Sequence, residues 1–205
     1  MKSIQTLLVV CALWGTGALA QGGQADMRGL TVSAGGGVEG YSAGLAPWID
    51  PGVAYGVTVG LKPSRLIGLE LGYSGAVNSI DGSGAEALVG SPELVRNGGQ
   101  AVATLGLTTS RLQPYILGGI GLSDFNVRFG GEALGFRDDT VGAVPVGAGL
   151  RFYTGTVSAD LRTHYNVLFD EQFAPEAGGV NQDPLDANFV QGNSYNATLN
   201  MGIIF

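Results

Sequence analysis

The sequence predicts an all-β fold, an eight-stranded antiparallel up-and-down transmembrane β-barrel, and three observations support this prediction. The segment 195–205 alternates between apolar and polar side chains, with Ile204 as the exception, and a period of two is typical of a strand with one apolar face. The chain is apolar on average, with a mean hydropathy of +0.24, yet beyond residue 20 no apolar run approaches the roughly 20 residues of a membrane-spanning helix. An export signal precedes the strands.

Residues 1–20 have the features of a secretory signal peptide. A lysine lies near the start, an apolar core follows at 7–14, and small residues end the segment at Ala20. We therefore predict cleavage between Ala20 and Gln21, which leaves one barrel domain over residues 21–205.

Cys11 permits a second interpretation of this segment, a lipoprotein signal in which Cys11 is acylated. Val10 is larger than the small residue expected before such a cysteine, and the apolar core continues beyond it, so lipidation is disfavoured. Cys11 is the only cysteine of the chain. The exported domain therefore holds no disulfide, and the strands themselves must supply its stability.

Four strands are predicted in the first half of the exported chain, because apolar residues recur there at every second position. Their ranges are about 28–42, 52–62, 66–77 and 99–109. In the second of them, Val53, Val57 and Leu61 share one face, and Thr58 lies on the other. The polar stretch 78–97 between the third and fourth strands is predicted to be a loop.

Four more strands are predicted in the second half, at about 114–127, 144–152, 157–166 and 194–205. The facing of the fifth strand stays open, because Tyr115 and Leu117 compete with Ile116 and Ile120 for the apolar face. Three glycines within it permit a bulge. Connections at 128–139 and 168–190 separate the later strands.

The connections alternate in length along the chain. Short turns follow the second, fourth and sixth strands, and longer loops follow the first, third, fifth and seventh. This rhythm is typical of membrane barrels with short periplasmic turns and long external loops. We therefore expect both chain termini on the periplasmic side.

Charge separates in the same way. The periplasmic turns carry Lys62, Arg65 and Arg111 and no acid, whereas the predicted external loops contain Arg96 and Arg137 as their only bases. The acids of these loops are Asp50, Asp81, Glu86, Glu93, Glu132, Asp138, Asp139, Asp170, Glu171, Glu176, Asp183 and Asp186. A net charge of −7 argues against binding to nucleic acid, which requires a basic surface.

Three segments resemble the eight-stranded outer-membrane barrels of the OmpA-like class. They are the glycine-rich strings at 112–122 (LQPYILGGIGL) and 144–152 (VPVGAGLRF), and the terminal strand that ends in Phe205. The resemblance implies an integral protein in the outer membrane of a Gram-negative-type bacterium, in contact with outer-membrane lipid. Many relatives carry a peptidoglycan-binding domain after the barrel, and that role is not implied for this chain.

The resemblance also implies that the terminal strand is an insertion signal for the barrel-assembly machinery. Thr198, Ile203 and Phe205 match the polar, hydrophobic and aromatic positions of that signal. Asn200 departs from it, because the family prefers glycine there.

Charged residues on the polar faces of the strands are candidates for the barrel lumen. They are Glu39, Lys62, Glu70, Arg151, Asp160, Arg162 and His164. Because an unpaired buried charge is costly, we expect ion pairs that plug the lumen. The alternative is a gate, in which Glu70 changes partner between Arg151 and Arg162 and opens a narrow path.

Two further chemistries are weighed and disfavoured. A lipid-modifying barrel enzyme would pair His164 with a nucleophile such as Ser158 or Ser194. The sequence around His164 holds no such serine on the same face. We therefore expect no catalytic residues and no enzyme. Asn181, Asp183 and Asp186 carry the oxygen ligands that a divalent cation prefers, but they lack the spacing of a calcium loop. We therefore expect no metal and no cofactor.

Aromatic residues near the predicted strand ends fit the interfacial girdles of a membrane barrel. They are Tyr41, Trp48, Tyr55, Tyr73, Phe152, Tyr165, Tyr195 and Phe205.

The sequence therefore predicts a non-enzymatic outer-membrane protein with a structural role or a surface-interaction role, in which acidic external loops meet an extracellular partner. A narrow gated pore and a lipid-modifying enzyme are alternatives. A soluble secreted barrel that binds small hydrophobic ligands is a further one, and it requires the apolar faces to point inward.

Overall fold

The computed structural model describes residues 27–81, 92–129, 138–169 and 192–205. The predicted cleavage site at Ala20 and Gln21 lies outside these residues. Cys11 lies outside them as well, as do Asn181, Asp183 and Asp186, the residues considered as cation ligands.

Eight strands form one closed barrel in which each strand pairs with its neighbours along the chain. They are β1 (Gly29–Ala43), β2 (Gly52–Lys62), β3 (Ile67–Ser79), β4 (Glu93–Gly106), β5 (Leu112–Arg128), β6 (Asp139–Thr154), β7 (Val157–Phe169) and β8 (Gly192–Ile204). All eight pairings are antiparallel, which confirms the predicted up-and-down barrel. Within the described ranges, no helix is long and apolar enough to cross a membrane.

The two ends of the barrel differ in the length of their connections. Short turns at 63–66, 107–111 and 155–156 join the strands at one end, and longer connections begin at residues 44, 80, 129 and 170 at the other. Because bacterial barrels have short periplasmic turns, we call the first end periplasmic and the second external.

β8 closes the barrel by pairing with both β7 and β1. Its register against β1 runs from Thr31 opposite Ile204 to Ala43 opposite Gly192. Beyond this ladder, the backbone N–H of Phe205 donates to the carbonyl of Leu30 (2.8 Å), and the N–H of Leu30 donates to the carbonyl of Phe205 (3.3 Å). The terminal segment thus pairs backbone groups that hydrocarbon could not satisfy.

The outward faces of the strands are apolar and the inward faces are polar. On β2, Val53 is 67% exposed and Leu61 is 51% exposed, while Lys62, which follows Leu61, is buried. The outward apolar residues of β8 extend from Tyr195 to Phe205, about 33 Å along the strand and about 25 Å along the axis of a tilted barrel. This height matches a hydrocarbon layer. The outward facing of the apolar residues excludes the soluble barrel, which required them to point inward.

The facing of β5 is settled by its pairing. Gln113, Tyr115 and Leu117 point into the barrel and are buried, whereas Ile116 and Ile120 point outward and are exposed. The register with β6 is the same before and after the three glycines. The bulge that the glycines permitted is therefore not formed, and one parity holds along the whole strand.

β4 and β6 begin several residues earlier than predicted, because polar and glycine residues hid their alternation. β4 starts at Glu93 rather than at residue 99, and β6 starts at Asp139 rather than at residue 144. Glu93 and Asp139 are therefore strand residues and not loop residues. Arg96 was expected in an external loop, which is wrong: it pairs with Ala76 on β3 and Phe125 on β5, and it is buried.

The external mouth of the barrel is filled by apolar side chains. The connection after β1 folds back so that Leu45 and Ile49 are buried, and Ile49 forms a β-bridge with Ile80. These residues belong to a buried cluster that we call the external cap: Tyr41, Leu45, Ile49, Ile80, Leu94, Phe125, Val127, Val141, Ala143 and Leu168, with Trp48 packed against it.

Most of the predicted girdle aromatics lie on the outer face. Exposed aromatic side chains are Tyr55, Tyr73, Tyr165 and Tyr195 toward the external end, and Phe152 and Phe205 toward the periplasmic end. Tyr41 was predicted to join the girdle, which is wrong. It shares the inward parity of Glu39, is buried, and packs against Phe125 with ring centroids 6.5 Å apart.

Aromatic rings cover glycines on neighbouring strands of the outer face. Tyr195 lies opposite Gly40, and Tyr55 lies opposite Gly75. In both pairs a β-carbon on the glycine would overlap the ring. Such aromatic–glycine pairs specify the register of adjacent strands.

Candidate functional site

The centre of the lumen holds two acids and two arginines, which we call the central cluster. Glu70 on β3 contacts Arg151 on β6 through Oε1 (2.8 Å) and Arg162 on β7 through Oε2 (2.6 Å). Asp160 on β7 contacts the same two guanidinium groups through Oδ2, at 2.8 Å and 3.1 Å. All four residues are buried. Each acid bridges both arginines, so the cluster carries no net charge.

The barrel geometry explains why these four side chains meet. Arg151 and Asp160 are direct partners across the β6–β7 ladder, and Arg162 follows Asp160 on the same face of β7. Glu70 reaches them from β3, which neighbours neither strand. An eight-stranded barrel is narrow enough for inward side chains of non-adjacent strands to touch.

Tyr115 on β5 supports the central cluster from one side. Its hydroxyl donates to Oδ1 of Asp160 (2.7 Å) and accepts from Nε of Arg162 (2.9 Å). The Arg151 guanidinium lies 4.8 Å from the centre of the Tyr115 ring, a cation–π distance. A β-carbon at Gly149 would overlap this ring. The glycine therefore leaves the space in which the tyrosine lies.

A second ion pair lies nearer the external end. Arg96 donates to Glu39 in a bidentate arrangement, from Nε to Oε1 and from Nη2 to Oε2, both at 2.6 Å. Its Nη1 donates to the hydroxyls of Ser74 (3.2 Å) and Ser123 (3.3 Å). Tyr41 of the external cap donates to Glu39 at 3.4 Å, so the pair lies directly beneath the cap.

Lys62 forms a separate layer at the periplasmic end. Its Nζ donates to Oε1 of Gln113 (2.6 Å) and to the hydroxyl of Tyr153 (2.8 Å), and it lies 5.1 Å from the centre of the Tyr153 ring. In the part of the chain that the structure describes, no carboxylate pairs with it. The ammonium group of Lys62 therefore points into the barrel and donates to neutral acceptors, the Gln113 amide and the Tyr153 hydroxyl.

His164 stands apart from the ion pairs. The amide of Asn196 donates to its Nε2 (2.7 Å), and the two residues are direct partners across the β7–β8 ladder. Ser158 lies six positions away on β7, about 20 Å along the strand, and Ser194 accepts a hydrogen bond from Asn166 instead. Neither serine contacts the histidine, so the arrangement supplies no activated nucleophile.

A small polar cavity separates the Glu39–Arg96 pair from the central cluster. It measures about 30 Å³ and is lined by Arg96, Arg162, His164 and Asn196, among others. Within the described ranges, Nδ1 of His164 and Oδ1 of Asn196 are buried without a protein partner. A polar cavity of this size is large enough for water, which can satisfy such atoms.

The structure brings together four of the predicted lumen residues, Glu70, Arg151, Asp160 and Arg162. It places Glu39, Lys62 and His164 in three other layers. The partners missed from the sequence were Arg96, Tyr115, Gln113 and Tyr153. For Arg96 a signal was present, because the inward parity of Val102 and Thr104 on β4 extends back to position 96.

The three residues of the predicted insertion signal lie on both faces of the terminal segment, which comprises β8 and Phe205. Thr198 points inward and accepts a hydrogen bond from the side chain of Asn200 (3.1 Å). Ile203 and Phe205 point outward, and Phe205 is 73% exposed. The aromatic end of the strand is therefore available on the outer surface, beside the seam with β1.

No protein-family model matches the chain, and no curated protein matches it in sequence. Among solved structures, Neisserial surface protein A aligns with 87% of this chain and 98% of its own, at a TM-score of 0.56 and 17% identity. The attachment invasion locus protein Ail of Yersinia pestis, in complex with the heparin analogue sucrose octasulfate, aligns with 87% of this chain and 100% of its own, at a TM-score of 0.53 and 13% identity. The chain therefore has the eight-stranded barrel fold of these two outer-membrane proteins.

Proposed function

We propose that this protein is a non-enzymatic outer-membrane barrel of a Gram-negative-type bacterium, with a lumen closed to solutes and a structural or surface-interaction role. The observation that carries the proposal is the sequence of filled layers along the barrel axis. The external cap, the Glu39–Arg96 pair, the central cluster and the Lys62 layer follow one another. Met27, Tyr153 and Ile204 pack together at the periplasmic mouth. Eight-stranded barrels of this kind have interiors filled by side chains.

The external connections favour a partner with a basic surface. By sequence they carry Arg137 as their base. Their acids are Asp50, Asp81, Glu86, Glu132, Asp138, Asp170, Glu171, Glu176, Asp183 and Asp186. Complementary charge steers association, so these connections disfavour a polyanion such as the one bound in the Ail structure.

A loop variant of the same length but without the acidic charge tests the surface role. The acids at 170–191 are replaced by the corresponding amides, which keeps the length of the connection and removes its charge. We expect cells that display this variant to lose binding to polylysine-coated surfaces, while cells with the wild-type protein bind. A deletion strain that leaks a hydrophobic dye, and that the amide variant repairs, would favour the structural role. If neither effect is seen, the proposal is wrong.

A narrow gated pore is the second candidate, and one observation favours it. Glu70 and Asp160 each contact both Arg151 and Arg162, so a guanidinium can leave one acid and keep the other. Discrete single-channel openings of the folded protein in a planar bilayer, altered in Glu70→Gln, would support the pore. They would also contradict the closed lumen.

The export route is part of the proposal. We expect the protein purified from outer membranes to begin at Gln21, as Edman sequencing or intact-mass measurement would show. A mass that includes residues 1–20 would contradict cleavage, and an added lipid mass on Cys11 would favour the lipoprotein signal. Insertion by the barrel-assembly machinery through the Phe205 strand belongs to the same proposal.

A further inference from the structure

A shallow apolar groove runs across the lipid-facing side of β2–β5. Its volume is about 690 Å³. Its floor consists of Ala101, Ala103 and Gly118, which point outward. Leu69 and Leu71 on β3 and Ile120 on β5 border it and are exposed. Because the cross-strand partners Leu69 and Ala103, and Ala101 and Ile120, differ in size, the wall is concave here.

Basic residues lie at the periplasmic end of the same strands. Arg65 is in the turn between β2 and β3, and Arg111 is in the turn between β4 and β5; both are exposed. The two turns are joined, since Nε2 of Gln113 donates to the carbonyl of Arg65 (2.9 Å) and the N–H of Gly106 donates to the carbonyl of Leu66 (2.7 Å).

We propose that the β2–β5 face binds an anionic phospholipid of the periplasmic leaflet. One acyl chain lies in the groove, and the phosphate lies at the two turns beside Arg65 and Arg111. The groove opens onto hydrocarbon, so its occupant is apolar, and a concave floor gives a chain more van der Waals contact than a flat wall does. Arginine binds phosphate through charge-assisted hydrogen bonds. The position of the groove, next to the short turns, selects the periplasmic leaflet.

Native mass spectrometry of the purified full chain tests the proposal. The protein is equilibrated with equal amounts of phosphatidylglycerol and phosphatidylethanolamine that carry the same acyl chains, and the retained lipids are counted. We expect the wild type to retain phosphatidylglycerol preferentially. Arg65→Glu and Arg111→Glu are each expected to lower this preference at least about fivefold, the scale of losing one arginine at an anionic bilayer surface. Equal retention of both lipids by the wild type would overturn the proposal.

Two matched controls separate a site from general effects. Arg128→Glu makes the same charge change at the external end and is expected to leave the preference intact. The double variant Ala101→Leu with Ala103→Leu fills the groove and is expected to lower retention of both lipids. Its control, Ala148→Leu with Ala197→Leu, makes the same change on the outer faces of β6 and β8 and is expected to leave retention unchanged. If Arg128→Glu lowers the lipid preference as much as the periplasmic arginine variants do, or if the two double leucine variants lose lipid equally, the site does not exist. A heat-dependent shift on SDS gels verifies that every variant is folded.

Discussion

Replacement of Glu70 by glutamine tests whether the central cluster stabilises the barrel. Glu70 accepts two charge-assisted hydrogen bonds, from Nη2 of Arg151 (2.8 Å) and from Nη2 of Arg162 (2.6 Å). Each such bond contributes about 1.5–3 kcal/mol, and the loss of one partner of a buried ion pair typically costs about 3–5 kcal/mol. The amide keeps the shape of the side chain and removes its charge, which leaves two arginines facing Asp160 alone. We expect Glu70→Gln to lower the free energy of unfolding by about 3–5 kcal/mol.

Equilibrium urea unfolding in lipid vesicles, followed by tryptophan fluorescence, measures this loss. Asp124→Asn serves as the control, because Asp124 is exposed at the outer face of β5 and its change is expected to have little effect. In the double variant Glu70→Gln with Arg162→Met, one charge of each sign is removed. Its destabilisation is expected to fall short of the sum of the single changes by about 1–3 kcal/mol. A Glu70→Gln loss no larger than that of the control, or strict additivity, would refute the reasoning.

Three other changes have expected outcomes. Arg96→Met leaves Glu39 buried without its partner and is expected to cost about 3–5 kcal/mol in the same unfolding assay; recovery on adding Glu39→Gln would show that the lost charge pair is the cause. Lys62→Met removes a buried cation for which the described residues provide no carboxylate partner, so we expect a neutral or stabilising effect, and a loss as large as that of Arg96→Met would contradict this. Phe205→Ala is expected to reduce the amount of protein in the outer membrane, measured by fractionation, while the variant refolds in detergent as the wild type does; a refolding defect would instead indicate a purely structural role for the ring.

The facing of most strands was predictable because the barrel wall separates two environments. On β2, β7 and β8 every second residue must be acceptable to hydrocarbon, and the others line a polar interior. The sequence therefore shows a clean period of two, from Val53 to Leu61 and from Tyr195 to Ile203. The same alternation identified the buried positions of Glu70, Asp160 and Arg162.

Partners and strand ends were less predictable, since they depend on contacts between distant parts of the chain. Arg96 and Glu39 are 57 residues apart and lie on non-adjacent strands. Position in one strand says nothing about which residue of another strand reaches across the lumen. Above the membrane, alternation is lost because both faces of a strand meet polar surroundings or the external cap. This is why the start of β4 and the inward position of Tyr41 escaped prediction.

The energies of the lumen contacts bear directly on whether the barrel conducts. A path through the central cluster requires Arg151 or Arg162 to leave its acids, and a buried charge left without its partner costs about 3–5 kcal/mol. At equilibrium this limits the open state to between about 1 in 160 and 1 in 5,000 molecules, before the Glu39–Arg96 pair and the external cap are displaced. Because these layers are stacked in series, their opening costs add unless one motion releases them together. A spontaneous open state is therefore rarer than any single layer implies, which favours the proposed barrel with a closed lumen over a constantly open channel.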